Sequence, residues 1–164
     1  MNRKNTKIKK IGGYLHKINI IRDSKGNVID HIVTPLRVEI RLRDILQIIV
    51  GASILAIPVG MTEETWNLGN ELPFLNVIIL SLIGMCFIAL FVYFNYYFGL
   101  FKEHKMDFLQ RIISIYILSL FVVAIFLTII QKAPWLQDTT VAVKRLLIIT
   151  FPCSMSATIS DVIK

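Results

Sequence analysis

From residue 45 onward the chain is written as long apolar runs separated by short polar breaks. The first run, 45–61, carries no formal charge. As a helix it covers roughly 25 Å, and a residue or two of Leu42–Asp44 completes a hydrocarbon core of ~30 Å. The second run, 72–101, is longer than a bilayer requires. Tyr93, Tyr96 and Tyr97 gather near its end, and tyrosines favour the headgroup level. The pattern therefore predicts a span over 75–93 with the helix end beyond it. The third span is 108–130, with Arg111 near its start as a snorkelling residue. Asp138 is a suitable N-cap for a last helix whose membrane part is 146–163. Between spans lie an acidic loop over 62–71, punctuated by Gly69 and Pro73, and a polar turn over 102–107. Pro134 and Trp135 mark the far interface of the third span.

Upstream of the spans the period changes. His16–Arg22 and Val28–Val33 are two runs rich in β-branched residues, and they flank Asp23-Ser24-Lys25-Gly26-Asn27. That spacing predicts a β-hairpin over 16–33. A lone hairpin is marginal in water, so it needs a third strand, the membrane unit or another subunit beside it. Residues 36–43 alternate apolar and charged positions, which predicts a strand at the start and helix by Leu42, with an interfacial helix of snorkelling arginines as the alternative. The expected architecture is an all-α membrane protein of four transmembrane helices, 45–164, preceded by a basic cytoplasmic segment, 1–44, that carries the short N-terminal β-hairpin.

Composition supports the membrane class: 55% of the 164 residues are hydrophobic and 18% charged, with a mean hydropathy of +0.65. A soluble domain has about 25% charged residues. The net charge of +7 resides in residues 1–44, which hold eleven of the eighteen Lys and Arg and four acids. Beside a membrane span, such an excess marks the cytoplasmic side and attracts anionic lipid rather than nucleic acid. The 62–71 loop has three Glu and no cation, whereas Lys102, Lys105 and Arg111 follow the second span. The expectation is a multi-pass protein of the cell membrane with both termini cytoplasmic. Lys132, Lys144 and Arg145 run against that rule but are outnumbered. The basic start is not followed by the apolar stretch of a signal peptide. Cys86 and Cys153 lie in apolar runs and read as packing thiols rather than a disulfide or metal pair.

Some residues carry candidate chemistry. Ala52, Ala56 and Gly60 recur every four residues, which lets another backbone approach closely where lipid gives no hydrophobic drive. Packing within one subunit and an interface between subunits are both open. Pro58 and Pro152 lie inside spans, and each frees the carbonyl four residues earlier. They read as helix kinks, with an ion-binding break as the rarer use. Thr150, Ser154, Thr158 and Asp161 form one polar stripe along the last helix, and such a stripe faces a bundle interior or a wet cavity. Asp161 has Arg111, Arg43 and Lys164 as candidate partners at the same membrane face, and a hydrated interfacial acid near the chain end is the alternative. Glu63 and Glu64 lie at the opposite face, as hydrated loop acids or as a cation-attracting mouth. Asn76 and Asn95 suit interhelical hydrogen bonds. His16, His31 and His104 have no metal-ligand spacing. The chain carries no P-loop, dinucleotide fingerprint, paired-His zinc motif or nucleophile elbow, so no enzyme, metal or cofactor is expected.

Gly51-Ala52-Ser53, Ile57-Pro58-Val59-Gly60-Met61-Thr62-Glu63-Glu64-Thr65-Trp66 and Phe91-Val92-Tyr93-Phe94, with the segment from Phe151-Pro152 to Asp161, resemble a prokaryotic family of integral membrane proteins, domain of unknown function 2391. The resemblance covers roughly residues 36–164. The Thr-Glu-Glu-x-Trp element after a Pro-containing span is its most specific part. It implies a polytopic membrane protein and brings no activity with it.

Two function classes follow. One is a homo-oligomeric cation pore or transport protein, with an ion pathway through Glu63, Glu64, Thr150, Ser154, Thr158 and Asp161. The other is a non-conducting accessory or scaffold protein that engages a partner or anionic lipid through its basic N-terminal segment.

Overall fold

The computed structural model describes residues 6–11, 14–22, 28–35, 40–98, 101 and 104–163. The chain divides into two compact units, Met1–Ile40 and Arg41–Lys164.

The first unit is a three-stranded antiparallel sheet in the order β1-β2-β3. The strands are β1 (Thr6–Ile11), β2 (Tyr14–Arg22) and β3 (Val28–Pro35). β2 and β3 are the expected hairpin, with Ile18 opposite Val33 and an irregularity at Ile21/Arg22. β1 pairs with β2, Lys9 standing opposite His16, and so supplies the third strand that a hairpin needs. The turn at 23–27 and the alternating residues 36–39 lie outside the described residues.

The second unit is helical. It comprises α1 (Leu42–Gly60), α2 (Glu63–Glu71), α3 (Phe74–Val92), α4 (Lys105–Ile129) and α5 (Thr139–Val162). A π-helical turn, Tyr93–Tyr97, extends α3. Four of these helices are long and apolar enough to cross a membrane. α5 begins where the sequence places its cap: the Asp138 carboxylate accepts the Val141 N–H at 3.1 Å. The acidic stretch predicted as a loop is instead the short helix α2. Its acids Glu63 and Glu64 fall in the first turn, where negative charge suits the helix dipole.

α5 is the least apolar of the four long helices and the most enclosed. In it 56% of the membrane-crossing stretch is buried, against 22–28% in the others. α1, α2, α3 and α4 all pack on it. In lipid an apolar side chain gains nothing by facing inward, so the interior goes to the helix with small and polar residues. Gly51 shows how close the approach is. A Cβ there would lie 2.8 Å from the Ala157 Cα and 2.5 Å from the Ser160 Cβ. Ala52, Ala56 and Gly60 are buried in the same seam, and a Cβ on Gly60 would meet Phe126 of α4. The small-residue stripe is therefore used inside one chain, and the subunit-interface alternative loses its sequence argument. Pro58 and Pro152 both lie within helices that continue past them.

Candidate functional site

The N-terminal turn of α1, the second turn of α4 and the last turn of α5 meet at one end of the bundle. Each carries an ionisable residue that turns inward. Asp44 is the third residue of α1, Arg111 is in α4, and Asp161 is next to last in α5. Their relative exposures are 2%, 0% and 0%. Arg111 Nη2 donates to Asp44 Oδ2 at 3.0 Å and to Asp161 Oδ1 at 3.2 Å. Arg111 Nε donates to Asp161 Oδ2 at 3.1 Å. The guanidinium thus grips Asp161 in the two-pronged fashion that a planar fork allows and a lysine does not. Asp44 also accepts the Arg41 backbone N–H at 3.2 Å, capping α1.

The helix dipoles act differently on the two acids. Asp44 sits at a positive helix end. Asp161 sits at the negative end of α5, where a carboxylate is disfavoured. The Arg111 guanidinium compensates for that placement. The π turn of α3 closes the site. Tyr96 stacks on Arg111, its ring centroid 4.0 Å from the guanidinium carbon, and its hydroxyl donates to the Asp161 carbonyl at 2.8 Å. Tyr97 is fully buried and packs edge-on to Phe108 at 5.2 Å. Its exposed neighbour Asn95 donates to its own helix, at the Phe91 carbonyl, rather than across helices.

Sequence reasoning named Arg111 as a partner for Asp161, and the structure joins them. Arg43 is exposed, and Lys164 lies outside the described residues. Arg111 does not snorkel, since no part of it reaches the surface. Of the tyrosines placed at the headgroup level, Tyr96 and Tyr97 turn toward the site. Asp44 was missed. The available signal was its place in the first turn of a span, at the same predicted membrane face as Arg111 and Asp161.

The hydroxyl stripe lies where periodicity places it: Thr150, Ser154 and Thr158 are all buried on α5. Each hydroxyl donates to its own helix, Thr150 to the Leu146 carbonyl at 2.7 Å, Ser154 to Phe151 at 2.9 Å and Thr158 to Ser154 at 2.6 Å. Glu63 and Glu64 are exposed beyond the far end of the 19-residue α1, whose last residue lies ~24 Å along its axis from Asp44. They and Asp161 do not come together.

That far end has a second polar cluster. Lys144 is buried, and its Nζ donates to the Leu72 carbonyl at 2.9 Å and to the Asn70 carbonyl at 3.3 Å. Arg145 donates to the carbonyls of Trp66 and Lys132 at 3.2 and 2.7 Å, and to Asn70 Oδ1 at 3.2 Å. Lys144 thus caps the C-terminal turn of α2, where orphan carbonyls and the helix dipole favour positive charge, and Arg145 ties the same helix to the 131–133 segment. Gly69 leaves room for Arg145, whose Cγ a Cβ would strike. Lys132 lies 3.9 Å from the Trp66 ring centroid, and the Trp66 indole N–H donates to the Gly60 carbonyl at 2.8 Å. The cations that run against the charge rule in sequence are fasteners of this second cluster. Among the described residues no group of three His, Cys, Asp or Glu side chains could hold a metal ion.

The sequence profile of the integral membrane protein family DUF2391 matches residues 23–163. No curated protein and no solved structure matches the chain.

Proposed function

The chain belongs to this family of integral membrane proteins, and from that premise we propose that it is a non-enzymatic, non-conducting accessory or scaffold protein of the cell membrane. Both termini are cytoplasmic in this reading, and the basic N-terminal segment engages an anionic lipid surface or an acidic partner. One observation carries the choice over transport: the buried charges and the hydroxyls of the α5 stripe already have partners within the chain. Arg111 joins Asp44 to Asp161. The stripe hydroxyls donate to their own helix, and Lys144 and Arg145 hold α2. Charges deep in a helical bundle mark transport when they face a cavity or a changing partner. When they pair helix to helix they are fasteners.

Full-length protein in phosphatidylcholine nanodiscs is expected to tether phosphatidylglycerol vesicles. The tethering is expected to fall with rising salt and to vanish when Lys7, Lys9, Lys10 and Lys17 are changed to Gln. Liposomes holding the same protein are expected to leak K⁺, Na⁺ and H⁺ no faster than empty ones. A flux lost in Asp161→Asn or in Glu63→Gln/Glu64→Gln would restore the cation-transport reading and overturn this one.

A further inference from the structure

The sheet of the first unit has two edges, and they differ in chemistry. Among the described residues no strand pairs with the outer side of β1 or of β3. An open edge offers backbone N–H and C=O groups to any extended chain, and charged residues, lysine above all, are the usual block. β1 carries Lys7, Lys9 and Lys10. β3 carries no lysine or arginine along its length. Its Ile32 and Val33 point to opposite faces, as successive strand residues do, and they are 50% and 46% exposed. β3 therefore shows apolar surface on both faces of an edge that no lysine blocks.

A second copy of β3 complements it. Two antiparallel copies in one sheet are related by a two-fold axis perpendicular to that sheet, which keeps each face continuous. One residue must then stand opposite itself. A centre at Asp30 or His31 sets an ionisable group against its own kind, which is unfavourable. A centre at Ile32 pairs residues 29–35, more of the strand than any other register free of that clash. It sets His31 opposite the partner's Val33 and Asp30 opposite the partner's Thr34. Within one copy Ile18 pairs with Val33 and Ile20 with His31, so the half-buried Ile18 and the exposed Val33 continue into the partner's Ile20 on the same face. β1 against β1 would instead set lysines against lysines. We propose that β3 is a dimerisation edge, where two copies of this chain pair antiparallel about Ile32 into one six-stranded sheet. The lysine-bearing β1 strands then form the two outer edges. The interface uses the first unit alone and holds whether or not the basic segment engages lipid.

Cysteine crosslinking of the full chain in native membranes, in a Cys86→Ala background, tests it. Ile32→Cys is expected to give a disulfide-linked dimer under mild oxidation, since directly opposite Cα atoms lie within the roughly 4.4–6.8 Å that a disulfide bridges. Val33→Cys and His31→Cys, each two residues out of register with itself, should crosslink weakly alone. Co-expressed, the two should crosslink as Ile32→Cys does. In mild detergent the wild-type chain should have the mass of a dimer by light scattering. Ile32→Lys, at a half-exposed edge position, should reduce it to a monomer, whereas changing Lys7, Lys9, Lys10 and Lys17 to Gln should leave the dimer in place. Absence of the Ile32→Cys crosslink overturns the proposal and leaves β3 to a strand of another protein. Crosslinking of Ile32→Cys to Ile8→Cys but not to itself also overturns it and assigns β3 to the partner's β1. So does a dimer that Ile32→Lys leaves intact, which assigns the association to the membrane unit.

Discussion

Arg111 is the residue on which the most structure converges. It joins α1 to α5 through Asp44 and Asp161 and carries the Tyr96 ring. Removing one member of a buried ionic cluster leaves the others charged without compensation, which typically costs about 3–5 kcal/mol. Arg111→Gln is therefore expected to lower stability by that amount, measured by reversible unfolding in mixed micelles. Arg111→Lys should recover only part of it, since an ammonium cannot grip both Asp161 oxygens or stack on Tyr96 in the same way. Wild-type stability in either variant would mean that the cluster does not fasten the helices. Gly51 is the complementary case, where the absence of a side chain does the work. Gly51→Val puts methyl groups into the Ala157 backbone and should separate α1 from α5, seen as loss of an engineered crosslink between the two helices.

Two short elements depend on their neighbours rather than on propensity. α2 has nine residues, too few to persist alone. It is held where Lys144 covers its last carbonyls and Arg145 bonds the Trp66 carbonyl and the Asn70 side chain. Lys144→Met keeps most of the side-chain stem and deletes the donor. Amide exchange in α2 should then quicken by at least tenfold, while the middle of α5 keeps its protection. Unchanged exchange in α2 would mean that the lysine is not its cap. The π turn at Tyr93–Tyr97 is the other such element. One extra residue within a turn alters the angular order of the side chains after it. Here Tyr96 and Tyr97 both reach the Arg111 region while Phe94 and Phe98 remain exposed. Deleting Asn95 should restore α-helical winding and misplace both tyrosines. The expected result is destabilisation comparable to Tyr96→Ala.

In the helical unit the least apolar long helix is the most buried, and that predicts where substitutions matter. Ser154→Leu makes α5 more apolar, yet Ser154 is fully buried. Overpacking there should cost about 1–3 kcal/mol. Leu82 on α3 is 59% exposed, and Leu82→Ala should be tolerated within about 0.5 kcal/mol. A protein whose interior was chosen by hydropathy would give the reverse order.

The spans, their approximate ends, the Asp138 cap and the strand character of the N-terminal hairpin were legible in the residues. Each is a local requirement. A segment must be long and apolar enough to cross hydrocarbon, and its backbone must satisfy its own hydrogen bonds there. The polar stripe of α5 was legible for the same reason, because helical periodicity is local. What the stripe meets was decided only in three dimensions. Asp44 and Asp161 lie 67 and 50 residues from Arg111. No pattern along the chain tells an arginine that snorkels from one that turns inward. α2 looked like a loop because the cations that hold it come from α5, 74 and 79 residues away. The sequence by itself determined that four segments are long and apolar enough to cross a membrane. The tertiary structure decided that the least apolar of them is the central one, because in lipid packing and polar pairing, rather than hydrophobicity, select which face turns inward.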